Sequence, residues 1–81
     1  MEIVFSRRFL RSLESAPQAV RKTFYKQLGF LEHNLLHPSL RAKKFDEAGD
    51  LWQARVNRDW RFYFTIESNE YHLHDITAHP K

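Results

Sequence analysis

Apolar positions along this chain change period once. From residue 7 to Pro38 they recur at helical spacing, and from residue 40 onward they alternate. Ahead of both, "EIVF" at 2–5 is a short apolar run that predicts a strand. Ser6 is placed to cap a short helix over 7–14, with Phe9, Leu10 and Leu13 as its apolar side. "SAPQ" at 15–18 is a second start signal, because Ser15 and Gln18 fit a capping box and Pro17 is tolerated in a first turn. In the helix that follows, Val20, Phe24, Leu28, Leu31 and Leu35 make one apolar stripe, with Arg21, Lys22, Lys26 and Glu32 on the other face. Pro38 disfavours helix at His37 and is expected to close it.

Beyond Pro38, strands are predicted over 40–45, 51–57, 60–67 and 71–78, with "DEAGD" at 46–50 as a turn. The expected fold is α+β in the order β-α-α-β-β-β. Two N-terminal helices pack on one face of a small, mainly antiparallel sheet, and residues 1–81 form one domain. Register follows from the apolar faces. Trp52, Ala54 and Val56 must meet Trp60, Phe62, Phe64 and Ile66 on the helix side. Matching Val56 to Trp60 across the turn Asn57-Arg58-Asp59 puts Arg55 directly opposite Arg61 on the other face. Like charges so placed cost a few tenths to about 1 kcal/mol, so something must offset them. A bound anion would do so, as would an acid such as Asp50, Glu67 or Asp75.

The last strand changes phase, with Tyr71 and Leu73 in one register and Ile76 and Ala78 in the other. This predicts a bulge near His74–Asp75. With Ile76 and Ala78 toward the helices, Thr77 and His79 join the arginine face. Lys43 and Lys44 alternate, so one of them joins it too. A lysine, two arginines, Tyr63 and a histidine on one face have the composition of a phosphate-backbone site with a titratable group beside it.

Composition narrows the class. The chain has 81 residues, no cysteine, and a net charge of +3. Its aromatic share of 15% favours a folded core. The charge fits a polyanionic partner. No apolar run is long enough for a membrane span, and the N-terminus does not read as a signal peptide, so a soluble cytoplasmic protein is expected. His33, His37, His72 and His74 lie on different elements with no cysteine to join them, so no metal is expected. Trp52 and Trp60 read as core, and Arg7, Arg8 and Arg11 as a solvated helix face.

"HPSLRAKKFDEAGDLWQARVNRDWRFYF" resembles the RelE/ParE superfamily of bacterial toxin–antitoxin toxins. It carries a lysine-bearing strand, a Gly-containing turn, W-x-x-R-V-N, and then Arg-hydrophobic-x-aromatic. "ITAHPK" is similar to the final strand of these toxins. The likeness spans nearly the whole chain and is closest to the YoeB-like and HigB-like branch. Members of that branch carry an aromatic residue at or near that histidine, whereas Pro80 and Lys81 follow His79 here.

The resemblance implies a ribosome-dependent mRNA endonuclease that needs no metal or cofactor. Its partners would be a cognate antitoxin, the ribosome and mRNA. Arg61, His79 and Arg55 would be catalytic: Arg61 at the reacting phosphate, His79 as the proton-transfer group, and Arg55 in a role that varies among members. Lys43, Lys44, Arg58 and Lys81 would bind RNA. A ParE-like, non-enzymatic gyrase inhibitor and a catalytically inactive RelE-fold binding module are the alternatives.

Overall fold

The computed structural model describes residues 1–46 and 48–79. Its elements are β1 (Glu2–Phe5), α1 (Arg7–Ser15), α2 (Gln18–His33), a single 3-10 turn (Pro38–Leu40), β2 (Lys43–Asp46), β3 (Leu51–Arg55), β4 (Trp60–Glu67) and β5 (Glu70–Ala78). The order is β-α-α-β-β-β-β: each of the five predicted strand spans overlaps one strand, so the shorthand β-α-α-β-β-β counts one fewer than the spans themselves. The five strands lie in the order β1-β5-β4-β3-β2. β1 runs parallel to β5, and every other pairing is antiparallel.

Helix starts and ends follow the available caps. Ser6 is extended, and its Oγ accepts from the Phe9 N–H at 2.9 Å, which opens α1 as expected. Ser15 does not open α2. It is the last residue of α1, and Pro17 occupies the cap position of α2 without a side-chain bond. The carbonyls at this junction are taken instead by the Arg21 guanidinium, which donates to Glu14 O at 3.3 Å and to Ala16 O. α2 ends at His33, short of Pro38. Asn34 breaks it in an extended conformation, and its Oδ1 accepts from the Leu36 N–H at 3.0 Å. Leu35 therefore packs against the core from outside the helix.

The core forms where the apolar stripe of α2 meets the inner face of the sheet. Phe9, Phe24, Phe62, Phe64, Leu31, Leu40, Leu73 and Ile76 are its fully buried large side chains. Phe24 sits edge-on to Phe62 with ring centroids 5.3 Å apart, and beside Phe9 at 5.2 Å. Such pairs add about 0.5–1.5 kcal/mol beyond their buried area. Trp52 and Trp60 pack partly buried at its margin.

β4 and β5 join through Ser68 and Asn69, both at positive φ (50° and 63°), as a two-residue hairpin in that conformation requires. In β5, Tyr63 pairs with Asp75 and Phe64 with Leu73, so His74 is the extra residue of a bulge. The bulge lets Leu73 and Ile76 both face the core. Ala78 shares a side with its partner Trp60 but is exposed at the strand end.

Candidate nucleic-acid interface on the outer sheet face

β3 and β4 bring the two arginines together. Arg55 pairs with Arg61 while their neighbours Ala54 and Phe62 pair inside the core, so both arginines project from the face away from the helices. Among the described residues, no carboxylate forms an ion pair with either arginine, and the Asp59 charge is the smallest of the influences on Arg61. Asp50 is bonded by Lys44 at 3.3 Å, Asp75 by Arg8 at 3.2 Å, and Glu67 by the Thr65 hydroxyl at 3.1 Å. The turn backbone offsets them instead. Arg55 Nε donates to Asn57 O at 3.2 Å, and Arg61 Nη1 donates to the same oxygen at 2.7 Å and to Trp60 O at 2.9 Å.

The turn is itself fixed by Asn57. Its Oδ1 accepts from the backbone N–H groups of Asp59 and Trp60, each at 2.9 Å. Among the described residues, no protein bond engages Nε or Nη2 of Arg61, or either terminal nitrogen of Arg55. Each guanidinium is thus anchored through one nitrogen and keeps donors for an anion. Burial, and next the Arg55 charge, hold the Arg61 guanidinium below its ordinary pKa. A negative group placed there would relieve that repulsion.

A cavity of about 220 Å³ surrounds this pair, lined by Arg41, Lys43, Gln53, Ala54, Arg55, Arg61 and His79. Lys43 reaches it because it pairs with Gln53, in phase with Arg55. His79 follows the end of β5, where its backbone N–H donates to Asp59 O at 2.6 Å; it is exposed.

Lys44 is not part of this cavity. It pairs with Trp52, on the opposite side of the strand, and its ammonium engages Asp50. Arg58 is exposed in the turn and lines a neighbouring hollow with Arg41 and Arg55. Lys81 lies outside the described residues. Among those residues, no three His, Cys, Asp or Glu side chains gather as metal ligands would. His72 pairs with Glu70 and His74 with Thr65. Among the described residues, no helix is long and apolar enough to cross a membrane.

Two contributors went unread in the sequence. The predicted strand over 40–45 includes Arg41, but this residue follows the 3-10 turn in the left-handed region (φ 46°) and lies between both hollows. Its signal was its phase, two residues before Lys43. Gln27 is a polar residue of α2 that belongs to neither the apolar stripe nor the charged face read from the sequence, and its amide is buried. Its Nε2 donates to Ser39 O at 3.0 Å and Arg55 O at 2.8 Å, and its Oε1 accepts from the Ser39 hydroxyl at 2.8 Å. This one side chain ties the arginine strand to the turn that carries Arg41.

No protein-family model and no curated protein sequence matches the chain. Solved structures do match its fold. The YoeB/ParE toxin from Agrobacterium tumefaciens superposes with a TM-score of 0.81 at 9% identity, covering 99% of this chain and 100% of that one. A chain of the archaeal RelE–RelB complex from Pyrococcus horikoshii OT3 gives 0.79 at 18% identity, covering 99% and 96%. The YoeB dimer from Staphylococcus aureus gives 0.79 at 16% identity, covering 99% and 98%. The chain has the RelE-like fold over its whole described length.

Proposed function

We propose that this protein is the toxin of a toxin–antitoxin pair and cuts mRNA on the ribosome without a metal. The observation that carries this reading is the cavity in which Arg55, Arg61, Lys43 and Arg41 converge beside His79. The shared fold supports it, since solved proteins of this shape include a RelE–RelB complex and YoeB toxins.

In the proposed reaction, the 2′-hydroxyl of a ribose attacks the adjacent phosphorus. The new O–P bond forms, and the bond to the 5′-oxygen of the next nucleotide breaks. The protein must orient the attack, carry the extra negative charge and move a proton. The unengaged nitrogens of Arg61 and Arg55 face the phosphate oxygens as they gain charge. Lys43 and Arg41 hold the flanking backbone. His79 takes the proton from the 2′-hydroxyl or gives one to the leaving oxygen. The ribosome supplies the remaining orientation of the strand. An antitoxin segment carrying acidic residues would cover the same face and silence it.

One observation favours a second reading, a RelE-fold binding module without chemistry. The arginines also brace the β3–β4 turn, which is a structural role on its own. Single-turnover cleavage of a defined mRNA on purified ribosomes separates the two. The toxin reading requires a cut that is lost with Arg61→Ala. Salt-dependent ribosome binding without a cut would leave the binding module.

A further inference from the structure

We propose that Phe45 and Tyr63 form a stacking platform for one base of a single-stranded RNA whose phosphate occupies the cation-lined cavity, an inference that rests on the phosphate-site reading above. Phe45 is 59% exposed although it belongs to a strand. The irregularity between Lys44 and Asp46 leaves it out of the β2–β3 register. There it meets Tyr63, with ring centroids 5.3 Å apart and planes at 69°. In such an edge-to-face pair, each ring keeps at least one face that the other does not cover.

Position distinguishes this phenylalanine from an ordinary exposed apolar residue. Tyr63 lies two residues along β4 from Arg61, on the same face and roughly 7 Å away at strand rise. Phe45 lies the same interval from Lys43. Both aromatic rings therefore stand one same-face step from a cation of the cavity. Gln53 joins the two regions, because it lines the cavity and its amide donates to Tyr63 Oη at 3.2 Å. Phe45, Leu51 and Tyr63 line a shallow hollow of about 500 Å³. The carboxylate at its rim, Asp75, is already held by Arg8 at 3.2 Å and the Ser12 hydroxyl at 2.7 Å. A positive groove flanked by aromatic rings is how unpaired nucleic acid is bound: cations track the backbone, and each base offers a flat face to stack. Bases inside a duplex cannot reach such a platform.

The test is binding of a short labelled single-stranded RNA at low salt, with inorganic polyphosphate as a polyanion that has no bases. Phe45→Ala and Phe45→Leu should each weaken RNA binding roughly 5- to 150-fold. Phe45→Trp should retain it. Polyphosphate binding should stay within about twofold for all three, because the charges are untouched. RNA binding by Phe45→Ala equal to wild type, with polyphosphate binding intact, overturns the platform and leaves the phosphate site standing. A Phe45→Leu variant that binds RNA like wild type overturns it too, since bulk would then suffice. Retained RNA affinity with loss of a co-expressed acidic protein would assign the rings to that partner instead. A wild-type protein that binds neither probe overturns both readings.

Discussion

Arg55 and Arg61 face each other across β3 and β4, and both donate to the carbonyl oxygen of Asn57. One backbone oxygen thereby holds two like charges at the centre of a sheet face. The bonds stabilise the hairpin turn, and the unengaged nitrogens keep donors for the anion of the proposed phosphate site. This double use shapes what a substitution at either arginine should do.

Arg61→Ala should slow single-turnover mRNA cleavage by about 10²-fold or more, the scale seen when one preorganised charge-stabilising donor is removed. Its effect on stability should be small, within about 1 kcal/mol, because loss of the turn bonds is offset by relief of the repulsion from Arg55. Urea unfolding of the same preparation reads the second quantity. A large stability loss with normal cleavage would make Arg61 a brace only.

Gln27→Ala should have the opposite profile. The buried amide satisfies Ser39 O, Arg55 O and the Ser39 hydroxyl together. Removing it strands buried polar groups at about 1–3 kcal/mol each. The expected result is a loss of about 2–4 kcal/mol in urea unfolding. Gln27→Glu should also destabilise, because a carboxylate has no N–H for the two carbonyls. Equal stability of wild type and Gln27→Ala would show that water replaces the amide without cost.

Tyr71 gives a pH dependence with a definite sign. Burial in the core pushes its phenol above the ordinary range. The folded state therefore keeps a proton that the unfolded chain releases above about pH 10. Its contribution to stability is full below that pH and declines as pH rises toward and through the folded value. Comparing the stability of wild type and Tyr71→Phe at pH 8 and pH 11 isolates this group from the other bases. The difference between the two proteins should shift against wild type at the higher pH. A pH-independent difference would place the phenol in contact with water.

Elements set by side-chain periodicity were readable in the sequence. β4 matches its predicted span, and the pairing of Arg55 with Arg61 followed from aligning apolar faces, because a slip of one residue would turn Phe62 and Phe64 to solvent. Bonds that the backbone negotiates locally were not readable. Ser15 had the spacing of a capping box, but α1 continues through it and Arg21 serves the junction instead. The acids proposed to neutralise the arginines were in reach by sequence, yet carbonyls of a turn took their place. Those bonds depend on how long side chains fold back, which no pattern of residue types records. Arg41 was missed for a related reason: its place in the cavity depends on a left-handed residue after the 3-10 turn, and arginine carries no signal for that conformation.

The two adjacent lysines give the sharpest contrast between charge and position. Lys43 lines the cavity, whereas Lys44 points to the other side of β2 and is paired with Asp50. Both contribute equally to net charge, so a purely nonspecific attraction to RNA would lose the same amount with either. If the cavity is the phosphate site, Lys43→Ala should weaken RNA binding and lower the dependence of log affinity on log salt by about 0.7 for one lost contact to a single strand. Lys44→Ala should leave both nearly unchanged. Cleavage by enzyme already bound to ribosomes should change little with either lysine, because neither is placed to move a proton. His79→Ala should show the reverse pattern, with near-normal binding and a cleavage rate about 10²–10⁴-fold lower if it transfers a proton. Salt titrations of RNA binding and single-turnover rates at saturating protein read the two axes separately. Equal losses for Lys43→Ala and Lys44→Ala would disconnect binding from the cavity. A His79→Ala protein that cuts at the wild-type rate would leave the arginines, with solvent or the ribosome, to handle the proton.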